Sequence, residues 1–342
     1  MRREGKRLNL AEILQNRLDL QKFCKNRPLA LAQFWKQGRI TSFDFIIDES
    51  IMMKKFIPVM IAALVLSACS SQPAKRKSTP RIKATAAYIP TENSAYVVFD
   101  LNQKKFLEGK NFNLVRPIAS VTKLMTAVVF LEENRYGASC QTQILPSDAD
   151  FLKGTTSPLP KNLNIACSEL LKAMLVRSDN YAAHALAHAT HLNKAQFLAR
   201  MNSKAREIGM TQTYFGDSSG LSSDNVSTVV DLAKLAGYAA SKPEIQQLSN
   251  SPLVSVYAGG RYFSMKNTNS MVRSQSYQAL VSKTGYTREA GYNLAFIAKG
   301  DCRGKRIGVV SLNNDNAASR TDFTESMLAK YQCVPNPYRQ YD

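Results

Sequence analysis

Histidine is scarce in this chain of 342 residues: there are three, His184, His188 and His191. No histidine follows His191, and that excludes one serine chemistry at "GDSSG", residues 216–220, because a G-x-S-x-G serine such as Ser218 needs an acid and then a histidine further along. The reverse order fares no better. Between His191 and Ser218 the only carboxylates are Glu207 and Asp217, and Asp217 abuts the serine. At i, i+4 and i+7 the three histidines stack on one helical face, but H-E-x-x-H is absent and their neighbours are mostly Ala and Leu. They read as a solvated polar face rather than a zinc site, and no metal or other cofactor is expected.

Acidic residues are also few, 26 against 45 Lys and Arg, for a formal net charge of +19. Such an excess raises the question of a polyanion partner. The basic residues are scattered, however, apart from "PAKRKSTPRIKA", with neither a basic helix interleaved with aromatics nor zinc-finger spacing. Nucleic acid is therefore not an expected partner. Attraction to anionic surfaces accounts for the charge. With 44% hydrophobic and 21% charged residues, the composition is that of a globular protein.

The apolar stretch from Phe56 to Leu66 falls short of the ~20 residues that cross a membrane. Two lysines precede it and small residues lead from it to Cys69, the order of a secretory signal, with a buried core helix as the alternative. "LSAC" resembles a bacterial lipobox, which implies cleavage before Cys69, a lipid on it and, with Ser70 next, an outer-membrane address. Signals stand at chain starts, so residues 1–51 read as a doubtful N-terminal extension, with translation beginning at Met52 or Met53. Residues 52–69 are then the lipoprotein signal, 70–90 a basic Ser/Pro tether, and 91–335 the folded domain. Of six cysteines, Cys24 lies in the doubtful extension and Cys69, by the lipobox resemblance, would carry lipid. Cys140, Cys167, Cys302 and Cys333 remain, with three pairings open to them. Cys140 with Cys167 and Cys302 with Cys333 is the expected set, since each pair brackets segments that could be neighbours; free buried thiols are the alternative.

"SAYVVFDLNQKKFLEGKN" predicts a hairpin turning at Asn102 and Gln103, and a helix follows from Ile118 to Glu133 with Pro117 at its start. Helical spacing dominates the middle third, in "SELLKAMLVRS", "NYAAHALAHAT", "NKAQFLARMNSKAREIGM" and "VVDLAKLAGYAA". Strands return in "LVSKTGY", "YNLAFIAKG" and "RIGVVSLNN", and a last helix in "TDFTESMLAKYQ". Strands at both ends with helices between them predict one sheet built from distant segments, with a helical subdomain inserted in it.

"PIASVTKLMTA" places Ser120 and Lys123 at i and i+3, on one helical face within an apolar run. A serine hydroxyl is a weak nucleophile until a base takes its proton, and a lysine can be that base only if burial or a second cation lowers its pKa. Alone, S-x-x-K is a weak signal, and a surface serine beside a snorkelling lysine explains it as well. "VRSDNYAA" adds Ser178, Asp179 and Asn180 at the start of a helix, and "LVSKTGYT" adds Lys283, Thr284 and Gly285 on a strand. Each of these two matches has a chance expectation on the order of 0.1 or less, so the ordered trio carries weight. A second S-D-N, at Ser223, Asp224 and Asn225, follows a glycine-bearing loop and reads as a turn.

In this order the three motifs are shared by class A β-lactamases and penicillin-binding proteins. Over roughly residues 90 to 330 the chain resembles the low-molecular-weight penicillin-binding proteins, the D-alanyl-D-alanine carboxypeptidase and endopeptidase family. The resemblance implies an α/β, β-lactamase/transpeptidase-like fold, an antiparallel sheet flanked by helices with an inserted helical subdomain. It makes Ser120 the acylated nucleophile, Lys123 its base, and Ser178 the relay of a proton to the leaving group. Asn180 would hold Lys123 and the substrate backbone, Lys283 would supply positive potential, and Thr284 would bind the peptide's carboxylate or backbone. Gly285 would let substrate approach the strand edge, the amides of Ser120 and Tyr286 would form the oxyanion hole, and Asp179 would stabilise its loop. Peptidoglycan stem peptides are the implied substrate, β-lactams the implied inhibitors, and the periplasm the implied compartment, with the lipid as membrane anchor. "LVRPIASVTKLMTA" and "KTGYTREAG" resemble the endopeptidase branch more than the carboxypeptidases. A carboxypeptidase is the first alternative, then a β-lactamase, which would need an E-x-x-x-N that is absent between Asn180 and Lys283, and then a non-catalytic penicillin-binding sensor.

Overall fold

The structure, a computed structural model, describes residues 92–300 and 302–336. The extension, the signal with Cys69 and the tether lie outside the described residues, as does Cys24. Two strands open the fold, β1 (Ala95–Asp100) and β2 (Lys105–Lys110), and three close it, β3 (Ala279–Thr287), β4 (Gly291–Ala298) and β5 (Ile307–Asn314). They form one antiparallel sheet in the order β2-β1-β5-β4-β3, so the first strand pairs with the last across the whole domain.

Alternation along these strands feeds two cores, because successive side chains point to opposite faces. Val97, Ala295, Ile297, Val310 and Leu312 face the larger one. Val98, Leu294, Phe296, Ile307 and Val309 face the smaller, which the C-terminal helix closes with Phe323 and Leu328. Buried on both faces, β5 holds the centre, and its first half, Ile307–Val310, is accordingly a continuous apolar run.

Among the helices of the segment between β2 and β3 are α1 (Lys123–Glu133), α2 (Cys167–Lys172), α3 (Asn180–His188), α4 (Lys194–Glu207) and α5 (Val229–Ala239), and α6 (Ala317–Lys330) follows the sheet. In α1 every side chain from Lys123 to Phe130 is buried, and α3, α4 and α5 pack around it. The expected helix from Ile118 instead starts as a 3-10 turn, Ala119–Thr122, and Pro117 lies just outside it in a two-residue strand paired with Val226. A hairpin, Leu253–Ala258 with Arg261–Lys266, and a π-helical turn, Ala173–Arg177, complete the insertion. Both expected disulfides are formed, Cys140–Cys167 and Cys302–Cys333. Among the described residues no helix is long and apolar enough to cross a membrane.

Candidate active site

Ser120 stands in the 3-10 turn, directly after Ala119, whose φ of 49° is left-handed. A non-glycine residue is rarely held there, and the surroundings enforce it. Gly220, itself at φ 84°, is so close that a Cβ would lie 2.1 Å from the Ala119 carbonyl oxygen. From the other side comes Gly285 of β3, where a Cβ would sit 2.7 Å from the Ile118 oxygen and 3.1 Å from the Ser120 nitrogen. Only glycine permits both approaches.

One turn on, Lys123 is fully buried, and its Nζ has three partners: Ser120 Oγ at 2.8 Å, Asn180 Oδ1 at 2.6 Å and the Ser219 carbonyl at 2.6 Å. The last two oxygens can only accept. They engage two N–H groups, so the third position faces Ser120 either with a proton or, in the neutral amine, with a lone pair. Burial lowers the pKa of Lys123 to about 7, against the opposing pull of Asp217, Asp179 and Asp150. Near neutral pH the lone pair is therefore available.

Ser178 ends the π-helical turn in a left-handed conformation, φ 65°, and Asp179 then caps α3, accepting from the Ala182 amide at 3.0 Å and the Ser157 hydroxyl at 2.6 Å. Lys283 on β3 is buried as well and donates to Ser178 Oγ at 2.9 Å and to the Thr284 carbonyl at 3.0 Å. Burial, Lys123 and Arg320 together hold its pKa well below the ordinary lysine range. Thr284 Oγ1 lies 2.6 Å from Thr268 Oγ1. The structure thus brings together all three motifs, with one bond from S-x-x-K to S-D-N through Asn180 and one from S-D-N to K-T-G through Ser178. β3 is an edge strand, and Tyr286 stands exposed on it at the cleft, which Lys153, Thr155 and Arg288 also line.

Several participants carried no sequence signal for the part they play here. The "GDSSG" loop is a support for Lys123: Asp217 gathers the amides of Ser219, Gly220 and Ser222 at 2.5–2.6 Å, and this aims the Ser219 carbonyl at the amine. Ser218 is buried, with Oγ 3.0 Å from His184 Nδ1, and its carbonyl accepts from Thr126. Arg320, buried on α6 against β4, where it donates to the Asn293 carbonyl at 3.5 Å, adds positive field at Lys283. The second S-D-N is a turn whose Asn225 carbonyl accepts the Ile118 amide.

The histidines correct one expectation. They do not form a solvated face: His184 is half-buried against Ser218, His188 pairs with Asp148 at 3.0 Å, and His191 lies beyond the end of α3. Among the described residues no group of three or more His, Cys, Asp or Glu is placed to hold a metal.

A profile of the D-alanyl-D-alanine carboxypeptidase family matches residues 80–316. The chain belongs to this family. A D-alanyl-D-alanine endopeptidase of Haemophilus influenzae is 51% identical over 240 residues, 70% of this chain and 82% of that protein. A D-alanyl-D-alanine endopeptidase of Escherichia coli K12 is 34% identical over 71% of this chain and 78% of its own. Among solved structures, penicillin-binding protein D2 from Listeria monocytogenes in its ampicillin-bound form superposes with a TM-score of 0.60 at 30% identity, covering 69% of this chain and 96% of that one. The family's fold is the expected one, a mixed α/β arrangement with an antiparallel sheet and an inserted helical region.

Proposed function

We propose that this serine peptidase is a D-alanyl-D-alanine endopeptidase that opens peptidoglycan cross-links through an acyl-enzyme on Ser120. The observation that carries the reading is the 2.8 Å contact between Ser120 Oγ and a buried Lys123 whose other two partners are acceptors. Lys123 takes the hydroxyl proton as Oγ attacks the D-alanyl carbonyl. Charge developing on the carbonyl oxygen is met by the amides of Ser120 and Tyr286, donors of a kind whose loss typically costs about 3 kcal/mol in the barrier. The leaving amine takes a proton through Ser178, which Lys283 holds in place. Asn180 and Thr284 align the peptide along the edge of β3, and water then releases the acyl group. The relatives at 51% and 34% identity that carry the endopeptidase name favour cross-links over free pentapeptide ends. Digestion of cross-linked and uncross-linked muropeptides separates the two activities, and Ser120→Ala abolishes both. A reading with Ser120 as nucleophile does not survive cleavage by that variant.

The likeness to an ampicillin-bound protein supports β-lactam inhibition. A penicillin adduct is expected on the peptide containing Ser120, located by mass spectrometry. Export with a lipid on Cys69, to the periplasmic face of the outer membrane, is part of the same reading. Two formed disulfides suit that oxidising compartment. Metabolic labelling with a radioactive fatty acid, lost in Cys69→Ala, tests it.

A further inference from the structure

A loop outside the three motifs, residues 150–157, touches each residue of the segment 179–181 in turn. Ser157 Oγ donates to Asp179 Oδ2 at 2.6 Å, Thr155 Oγ1 accepts from Asn180 Nδ2 at 2.8 Å, and the Thr155 carbonyl accepts from the Tyr181 hydroxyl at 3.0 Å. Asp150 organises the loop from within. Its Oδ1 accepts the amides of Leu152 and Lys153, each at 2.8 Å, and its Oδ2 accepts the amide of Thr155 at 2.8 Å and the Thr155 hydroxyl at 2.6 Å.

That last bond sets a direction. An ionised carboxylate only accepts, so the single proton of the Thr155 hydroxyl is committed to Asp150, and towards Asn180 the same oxygen can only accept. Asn180 must then turn its NH2 group to Thr155. Its Oδ1 is left facing Lys123, at 2.6 Å. The two ends of a carboxamide are alike in size, and hydrogen bonding alone chooses between them. In the opposite orientation an N–H would face Lys123, repelling the ammonium and, in the neutral amine, engaging the lone pair that Ser120 needs.

We propose that Asp150 and Thr155 are positioning residues that fix the orientation of the Asn180 amide, so that Lys123 meets an acceptor there and keeps its lone pair for Ser120. The inference rests on the reading of Lys123 as the base.

Thr155→Val keeps the shape and removes the hydroxyl; Thr155→Ser keeps the hydroxyl. The rate of acylation by a fluorescent penicillin is followed against pH, with saturation curves and thermal melts for each protein. Thr155→Val is expected to slow acylation on the order of 10²-fold, as small misplacements of a reacting group do. The penicillin concentration for half-saturation and the melting temperature should change little. The acid limb of the profile should move to lower pH, because the ammonium of Lys123 has lost an acceptor. The titratable groups facing Lys123 are Asp217, Asp179 and Asp150, His184 beside Ser218, and Lys283 on the strand, and Thr155→Val leaves all five in place. Thr155→Ser should recover most of the rate. Should Thr155→Val fold poorly, Thr155→Ala carries the test: it also removes the hydroxyl, leaves the Asp150 charge in place, and should give the same loss and the same shift. Wild-type acylation with a wild-type acid limb in Thr155→Val overturns the proposal, as does a serine variant no better than the valine one. A rise in half-saturation with an unchanged limiting rate would make Thr155 a substrate contact and overturns it too. Label on Ser120→Ala would instead remove the underlying reading, whatever Thr155→Val does.

Discussion

Lys283 donates to Ser178 Oγ at 2.9 Å across 105 residues of sequence, and this bond holds the strand that carries K-T-G against the helix start that carries S-D-N. Ser178 sits at a left-handed φ of 65°, so its side chain is presented to Lys283 by a backbone that the adjoining π-helical turn and the Asp179 cap keep in place. Removing the hydroxyl leaves Lys283 with the Thr284 carbonyl alone. Ser178→Ala should slow acylation by roughly 10²–10⁴-fold, the range of a lost proton-transfer group. Stopped-flow acylation checks this, with a retained fold shown by an unchanged melting curve.

If Lys123 is the base for Ser120, acylation should rise with pH through about 7 and level off above it, since a base acts only without its proton and burial places the Lys123 pKa there. The same group leaves a mark on stability. In the unfolded chain Lys123 titrates near the ordinary 10.5, so between about pH 7 and 10.5 the unfolded state binds the extra proton and stability increases with pH. Below about pH 7 both states are protonated at this site and its contribution to the slope ends. Lys123→Met should abolish acylation and reduce the slope of this part of the stability profile, to which the buried Lys283 also contributes, measured by urea denaturation at a series of pH values. An arginine at the same position should be equally inactive, because a guanidinium does not give up its proton.

Much of this fold is legible in the chain because its strands alternate or run apolar and its helices keep their period. The β1–β2 hairpin, the late strands and α3 to α5 fall where the pattern puts them. The hairpin at Leu253–Lys266 has the right marks, alternation around Gly259 and Gly260, yet between helices it is easily passed over. The π-helical turn is not legible, since Ala173–Arg177 continues the helical period of α2. At the site, the three motifs name the side chains that meet, and their spacing alone could not show which atoms bond. Asp217 and the Ser219 carbonyl act through main-chain groups that leave no spacing signature, and Thr155 acts through a single hydroxyl. The histidines show the limit in the other direction: the helical period places His184 and His188 on one side, but what faces them comes from distant loops, Ser218 and Asp148.

The Cys140–Cys167 disulfide closes 27 residues of sequence and pins the short strand pair Gln141–Gln143 with Asn164–Ala166, just before α2. Replacing both cysteines by serine should cost about 2–4 kcal/mol of stability, by releasing that loop in the unfolded chain. Acylation should be largely retained, because Ser178 and Asn180 take their positions from Lys283, Lys123 and Thr155 instead. Urea melts of oxidised wild type and the double variant, beside penicillin labelling of each, separate the two effects.

Gly285 offers the sharpest steric test. A Cβ there would lie 2.7 Å from the Ile118 oxygen and 3.1–3.2 Å from the amide nitrogens of Ser120 and Val121, all main-chain atoms that cannot swing aside. Gly285→Ala must therefore push β3 and the 3-10 turn apart, and with them the two amides, Ser120 and Tyr286, that are to hold the oxyanion. A displacement of even an ångström at a reacting centre costs on the order of 10² in rate. The glycine's own backbone is not left-handed, so the loss should come from the approach and not from a strained φ. Two measurements bear this out together: a fall of that size in acylation rate, and continued bonding of Lys283 to Ser178 in a crystal structure of the variant with the strand shifted outward. Wild-type acylation in Gly285→Ala would mean that the strand edge takes no part in holding the reacting carbonyl.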